Sequence, residues 1–474
     1  MGGDMPYKVK RICCIGAGYV GGPTMSVIAK NCPEIEVTVV DLDKSRIDYW
    51  NDNDLSKLPI FEPGLDQVIQ ECRNRNLFFT TDIESAISNA DIVFLSVNTP
   101  TKVRGIGAGR ASDLKWIEAS ARQVATFAKG HTIVVEKSTI PVRTAETIKT
   151  ILNSSYKIKN SNNELKTFSV LSNPEFLSEG RAISDLEDPD RVLIGGDDPE
   201  AINCLSGIYE KWINSEKILK TNLWSSELSK LAANAFLAQR ISSINTFSSL
   251  CEKTGADISE VSKAIGMDKR IGSEFLNAGP GFGGSCFKKD LLNLIYIANF
   301  YKLPLVADYW EKVLEINLWQ QNRIVEKIVE NLFGTLSYKK LAVFGFSFKS
   351  NTNDTRESPA IKICQDLIKE GANLSIYDPK VSKKKICKEL QIDPGTNKNV
   401  EGGTWNLSKS IYDAVKDSLG IVVLTEWEEF KFIDWEKIAK LTEYPIWLFD
   451  TRNICNKEEA IRNNINVWNI GSNY

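Results

Sequence analysis

The segment Gly279-Pro-Gly-Phe-Gly-Gly-Ser-Cys286-Phe-Lys-Lys-Asp290 sets one cysteine in a glycine-rich turn, followed by two lysines and an aspartate. Glycine lets a backbone approach a ligand closely and adopt positive φ, so a thiol held there meets whatever that ligand brings. As thiolate it is nucleophilic, and it can hold a carbonyl carbon covalently while a second step proceeds. Lys288 and Lys289 place positive charge beside it, unless they simply face solvent. The helix-forming run Ser226-Glu-Leu-Ser-Lys230-Leu-Ala-Ala-Asn234 offers another pair, with Lys230 and Asn234 four residues apart on one face. Such a pair usually faces water. Here it is a candidate proton donor or electrophile, because the chain has one histidine, His131. A single histidine argues against a Ser-His-Asp triad or a multi-histidine metal site, so no metal is expected. Proton transfer falls to Lys, Asp, Glu or water.

A different chemistry opens the chain. Gly16-Ala17-Gly18-Tyr19-Val20-Gly21 follows the apolar run Val9–Ile15 and leads into a helix expected to end near Asn31. In G-x-G-x-x-G the first glycine permits the tight turn, the second admits a pyrophosphate, and the third lets helix and strand pack closely. The helix N-terminus favours the phosphate charge. Asp41 ends the next strand, 20 residues after Gly21, where a carboxylate binds ribose hydroxyls and repels a 2′-phosphate. NAD is therefore expected over NADP, with nearby Arg46 the one residue pointing the other way. Val97-Asn98-Thr99-Pro100-Thr101 and Glu136-Lys-Ser138-Thr139 follow later strands, at the sheet end where ligands bind. Plain turn chemistry is the competing reading. Asn173-Pro-Glu175-Phe176-Leu177-Ser-Glu179 follows another strand, offering either surface charges or one catalytic carboxylate.

The elements that position these residues are legible from periodicity. Continuous β-branched runs, Val37–Asp41, Asp91–Val97, Thr132–Glu136 and Ser169–Ser172, alternate with helical segments and predict a parallel sheet covered on both faces. The middle third is helical, from Trp224 to Cys251 and again from about Leu305 to Leu332, the second read as one long spine with a break near Asn317 as the alternative. The last third returns to α/β, with strands Leu341–Gly345, Leu374–Asp378, Ile421–Thr425 and Ile446–Asp450. Gly345-Phe-Ser-Phe348-Lys349 lacks the paired glycines of a second dinucleotide turn, and a charged nucleotide diphosphate suits it better. The expected fold is α/β: two Rossmann-like doubly wound parallel-sheet domains joined by a central helical region with a long spine helix. The domains are placed at 1–220, 221–333 (with the cysteine loop and a dimerisation surface) and 334–474. Polar stretches at 153–166 and 393–404 are expected as surface loops.

The 474 residues, 42% hydrophobic and 25% charged with net charge −3, describe an ordinary globular chain with no general affinity for nucleic acid. No apolar run is long enough to span a bilayer, and the N-terminus lacks a secretion core. Ten cysteines without C-x-x-C spacing are expected as free thiols in the reducing cytoplasm.

Taken together, G-F-G-G-S-C-F-x-K-D, S-S-E-L-x-K-L-A-A-N-A-F, N-P-E-F-L-x-E-G and F-K-x-x-T-x-D-T-R-E-S resemble the UDP-glucose/GDP-mannose dehydrogenase family, especially its animal-type UDP-glucose 6-dehydrogenases. The likeness runs from about Lys8 to about Asp450. It implies NAD-dependent four-electron oxidation of UDP-glucose to UDP-glucuronate through a thiohemiacetal and a thioester on Cys286. It further implies that Lys230 stabilises oxyanions, that Asp290 acts with it on water, and that Glu175 and Thr139 serve proton transfer and water positioning. Asn234 matches a catalytic and substrate contact. Glu175, Phe176, Leu177, Lys230, Arg270, Phe275, Leu276, Phe282, Gly283, Phe348, Lys349 and Arg452 match substrate contacts, Arg270 reaching across a subunit interface. Gly16 to Gly21, Asp41, Arg46, Val97 to Thr101, Ser138, Thr139, Glu179 and Arg356 match cofactor contacts. A dimer-based homo-oligomer, often a hexamer, and feedback inhibition by UDP-xylose are part of the same implication. The chain departs from its animal relatives at Asn277, where they commonly carry lysine, and at Pro280, which stiffens the loop.

Two rivals remain open from sequence. One is a dehydrogenase of another UDP- or GDP-sugar. The other is a catalytically silent nucleotide-binding regulatory protein, against which the joint presence of Cys286, Lys230 and Asp290 counts.

Overall fold

The structure, a computed structural model, describes residues 9–154, 166–395 and 402–472. Most of the two polar stretches expected as loops lies outside those residues. The chain divides into two compact units. The first holds described residues up to Ala233 together with Leu292–Phe300, and the second holds Asn234–Leu291 and everything from Tyr301 onward.

The first unit is built on eight strands: β1 (Arg11–Ile15), β2 (Glu36–Val40), β3 (Leu77–Thr80), β4 (Ile92–Leu95), β5 (His131–Glu136), β6 (Thr167–Ser172), β7 (Val192–Gly196) and β8 (Ile218–Thr221). Their spatial order is β3-β2-β1-β4-β5-β6-β7-β8. The first six are parallel, as the unbroken apolar runs require. β7 pairs antiparallel to β6, and β8 then runs parallel to β7. The sheet therefore ends in a reversed pair that the sequence does not announce. Successive side chains feed opposite faces. Ile12 and Cys14 join the core with Met25, Trp50 and Phe94, while Cys13 and Ile15 join that of Val93, Val134 and Ile148. Each such side chain, fully buried, contributes roughly 1.5–3 kcal/mol of transfer free energy.

The second unit repeats the plan with β9 (Lys340–Phe344), β10 (Asn373–Tyr377), β11 (Thr404–Leu407), β12 (Gly420–Val423), β13 (Trp447–Asp450) and β14 (Asn466–Asn469), in the order β11-β10-β9-β12-β13-β14 and parallel throughout. Leu341 and Val343 face one core, Ala342 and Phe344 the other. Both sheets thus share the doubly wound order of a dinucleotide-binding fold.

A central helical region joins the two. The helix Leu223–Thr254 runs unbroken through the division between units, and so does Phe287–Phe300. The helix Pro304–Asn331 has 28 residues and runs as one spine, continuous through Asn317, so the alternative of a break there does not hold. An Arg323–Glu252 ion pair at 2.6 Å, largely buried, ties it to Leu223–Thr254.

Candidate functional site

In the first unit the turn after β1 is shaped for a ligand. Gly16 has φ +112°, and a Cβ there would lie 2.2 Å from the Ser96 carbonyl oxygen; one on Gly21 would lie 2.0 Å from that of Gly16. Both positions demand glycine for the fold. Gly18 is different: a Cβ there would meet nothing within 4 Å, so its small size leaves open room rather than relieving a clash. Beside it, the Asp41 Oδ2 accepts the Ala17 N–H (3.0 Å) and the Arg46 guanidinium (2.9 Å), and Oδ1 accepts the Asp43 N–H (2.9 Å). The carboxylate is fixed at the tip of β2 with 13% of its side chain exposed. Arg46 is spent on this pair. This cradle fits a dinucleotide with free ribose hydroxyls.

Further along the same sheet edge, Thr99 donates to the Thr139 carbonyl (2.7 Å) and Ser138 to that of Val97 (2.7 Å), lacing the ends of β4 and β5 together. Asn98 is exposed, and Glu179 is half-buried. After β6, the Glu175 Oε1 accepts the N–H groups of Phe176 (2.8 Å) and Leu177 (3.2 Å), while Oε2 pairs with Lys137 at 2.8 Å. The Phe176 ring carries two cations, the Arg191 guanidinium 4.0 Å and the Lys230 ammonium 5.2 Å from its centroid. Lys230 is 7% exposed. Glu175, Phe176 and Lys230 are therefore brought together.

In the second unit the cysteine loop is clamped from outside. Asn245 Oδ1 accepts the Gly279 N–H (2.9 Å), and Gln320 Nε2 donates to the Gly279 carbonyl (2.9 Å). Asn317 accepts the Phe282 N–H (2.8 Å) and donates to the Phe282 carbonyl (3.2 Å). The glycines then permit close packing. A Cβ on Gly283 would sit 2.5 Å from the Glu357 carbonyl, and Gly284, at φ +84°, donates to the Arg356 carbonyl at 2.8 Å. Cys286 emerges half-buried at the start of the helix Phe287–Phe300, with its Sγ 3.5 Å from the Ser285 hydroxyl and its carbonyl accepting the Asp290 N–H. The helix N-terminus places N–H dipoles toward developing negative charge. Asp290, 1% exposed, accepts the Asn234 amide at 2.6 Å. Asn234 stands one helical turn after Lys230 on the helix Leu223–Thr254. Lys288 is engaged by Glu357 at 2.8 Å, and the Lys289 ammonium lies 3.9 Å from Asp290.

The expected substrate contacts of this unit divide. Arg452 donates to the Leu424 carbonyl (2.9 Å) and the Phe348 carbonyl (3.3 Å) and pairs with Glu426. Lys349 lies over the Phe348 ring, and Phe348 packs on Gly283 and Gly284, while Phe282 sits edge-on to Phe287. Leu276 is buried in the core, and Phe275 sits edge-on to Phe287. Arg270 stands apart, its side chain 90% exposed and paired with Asp268. Arg356 is paired with Asp354. Sequence reasoning did not single out Lys137, Asn245 or Gln320. Asn317 drew notice only as a place where the spine helix could break; its amide instead clamps the Phe282 backbone.

Two sheets of one dinucleotide-binding order, one with an open glycine turn, and a cysteine loop between them in sequence define the class of a nucleotide-dependent dehydrogenase. Three family models match in succession: the NAD binding domain (residues 10–213), the central domain (224–319) and the UDP binding domain (342–457) of the UDP-glucose/GDP-mannose dehydrogenase family. The chain belongs to that family. It is 52% identical to UDP-glucose 6-dehydrogenase 1 of Glycine max, covering 97% of each, and 54% identical to UDP-glucose 6-dehydrogenase of Gallus gallus, covering 94% of this chain and 90% of the relative. Among solved structures, a UDP-glucose dehydrogenase from Pyrobaculum islandicum superposes with a TM-score of 0.83 at 27% identity, covering 98% of each chain. Among the described residues no helix is long and apolar enough to cross a membrane, and no group of three or more His, Cys, Asp or Glu is placed to hold a metal.

Proposed function

We propose that this chain oxidises the C6 hydroxyl of UDP-glucose to the carboxylate of UDP-glucuronate, with Cys286 as the covalent nucleophile. The observation that carries this is the cysteine loop: one accessible thiol at a helix start, in a glycine turn held by three amide side chains. The identity to UDP-glucose 6-dehydrogenases over nearly the whole chain supports the substrate.

The Gly16–Gly21 turn with Asp41 would hold NAD⁺, which would supply the two-electron acceptor for each oxidation. In the first, C6 gives up hydride and its hydroxyl gives up a proton, leaving an aldehyde. The Cys286 sulfur then bonds to C6, and Lys230 offsets the oxyanion of the thiohemiacetal. A second oxidation removes hydride from the same carbon and yields the thioester. Water, oriented by Asp290 with Thr139 and an edge set by Glu175, adds to C6 and breaks the C–S bond, releasing carboxylate and restoring the thiol. The covalent link keeps the aldehyde from escaping between the steps. Phe282, Gly283, Phe348, Lys349 and Arg452 hold the UDP-sugar. In this reading residues 1–220 bind cofactor, 221–333 carry the loop and the dimer surface, and 334–474 bind UDP. The exposed Phe236, Leu305 and Tyr309 support a dimer-based assembly, and the projecting Arg270 suits a contact with a neighbouring subunit's substrate. Cytoplasmic location and inhibition by UDP-xylose complete the reading.

Purified protein with UDP-glucose should form about two NADH per sugar, and Cys286→Ser should lose more than about a thousandfold in turnover. One NADH per sugar sinks the covalent scheme. Preference for another nucleotide sugar in a panel at fixed NAD⁺ sinks the substrate.

A further inference from the structure

Lys137 is 3% exposed and lies one residue from the strand end that bears Ser138 and Thr139. A buried ammonium is costly unless each of its three protons finds an acceptor. Lys137 finds all three within its own unit: Glu175 Oε2 at 2.8 Å, Asn173 Oδ1 at 3.0 Å and the Tyr209 hydroxyl at 3.3 Å. Asn173 is in turn held by donating to the Leu193 carbonyl (2.8 Å) and accepting from Tyr209 (2.7 Å). Burial lowers the tendency of Lys137 to hold its proton, but attraction to Glu175 and Tyr209 outweighs it, so the group is shifted upward and stays charged. The adjoining cavity is about 20 Å³, room for a single water. With Lys137 buried, its route outward runs through its ion pair with Glu175.

Glu175 is the link outward. One oxygen is taken by Lys137 and the other by the N–H groups of Phe176 and Leu177. A carboxylate with both oxygens committed to protein donors is a brace for the loop, poorly placed to carry protons. The next residue in that loop, Phe176, presents its ring to Lys230. A cation over an aromatic face is held with a preferred direction.

We propose that Lys137 is the positioning residue of this sheet edge. It fixes Glu175 as a brace, which sets the 174–177 loop so that the Phe176 ring aims Lys230, and Glu175 serves the reaction through this aim rather than by transferring a proton. The proposal rests on the reading of Lys230 as the oxyanion-stabilising group.

Two readouts separate the proposal from that reading. The first is amide hydrogen exchange of Phe176 and Leu177 in the full chain without substrate. Both should be protected in the wild type and exchange at least about tenfold faster in Lys137→Met, because their shared acceptor loses its anchor. The second is steady-state kinetics. Lys137→Met and Glu175→Gln should each lower kcat at least about tenfold with KM for NAD⁺ unchanged, and K137M/E175Q should be no slower than the worse single variant. Phe176→Leu should lower kcat while the two amides stay protected. If the buried charge left in Lys137→Met prevents folding, the neutral double variant carries both readouts, with the same losses expected. Unchanged exchange in the Lys137 variants, or a Glu175→Gln loss that multiplies fully onto that of Lys137→Met, overturns the proposal. A wild type that leaves UDP-glucose untouched overturns the functional reading instead, and the exchange result still decides the brace.

Discussion

The two sheets place an acid at the tip of the same strand and use it in opposite ways. In the first unit Asp41 directly follows β2 and binds one N–H of the glycine turn, leaving part of its carboxylate at the surface beside the open room at Gly18. In the second unit Asp378 follows β10 and turns inward. Its Oδ2 accepts the N–H groups of Phe346 (2.7 Å) and Ser347 (3.0 Å) and the Trp427 indole (3.3 Å), and Oδ1 accepts those of Lys380 and Val381. The first turn is left unfinished for a ligand to complete, whereas the second completes itself. One strand order therefore supports both an open dinucleotide cradle and a closed turn, and the hydrogen-bond partners of one carboxylate tell them apart.

The sharpest break of this comparison is at the turn glycines. Gly345, at φ +89°, would bring a Cβ to 2.3 Å from Thr425 Cβ. Gly345→Ala should cost about 3 kcal/mol or more in chemical denaturation. Gly18→Ala, with nothing to strike, should leave the denaturation midpoint in place and weaken NAD⁺ binding by about tenfold or more in titration. Equal stability losses at the two positions would erase the distinction.

The acids themselves come next. Asp378→Ala strands several buried N–H donors and should destabilise by about 2–4 kcal/mol, while Asp41→Asn should raise KM for NAD⁺ by about tenfold with little change in melting temperature.

The smallest effect concerns the fifth strand of each sheet, where β5 ends in Glu136 and β13 in Asp450. Both are buried, and burial raises both carboxyls. Asp450 is relieved by N–H groups from Arg452, Ile454 and Cys455. Glu136 instead faces a second carboxyl, Glu227, which raises it further and well above the ordinary range. A carboxyl raised in the folded state contributes stability below its unfolded value, near pH 4.3, and loses it as pH rises through the folded value. Glu136→Gln should therefore melt higher than wild type at pH 8, with the difference shrinking toward pH 5. A difference that does not vary with pH would remove this contrast between the sheets.

Much of this was legible in sequence, for physical reasons. The G-x-G-x-x-G turn, Asp41 and the cysteine loop depend on local backbone geometry, which residue type and spacing report directly. The reversal of β7 was not legible, because Val192–Gly196 is an apolar run with nothing to mark its direction. Nor was Lys137, since a lysine after a strand reads as solvated until its three acceptors, up to 72 residues away, are in place. The clamping role of Asn317 was not legible either, because its partner, the Phe282 backbone, lies 35 residues distant.

That distance has a practical side. Asn245, Asn317 and Gln320 grip the cysteine loop from helices remote in the chain, and Arg323 steadies Gln320 in turn at 3.1 Å. The sulfur's line of fire is thus encoded on helical faces rather than in the glycines around it. A mutagenesis library confined to the neighbours of Cys286 would miss those positions, and a single amide exchanged there would redirect the thiol while every residue beside it stayed the same.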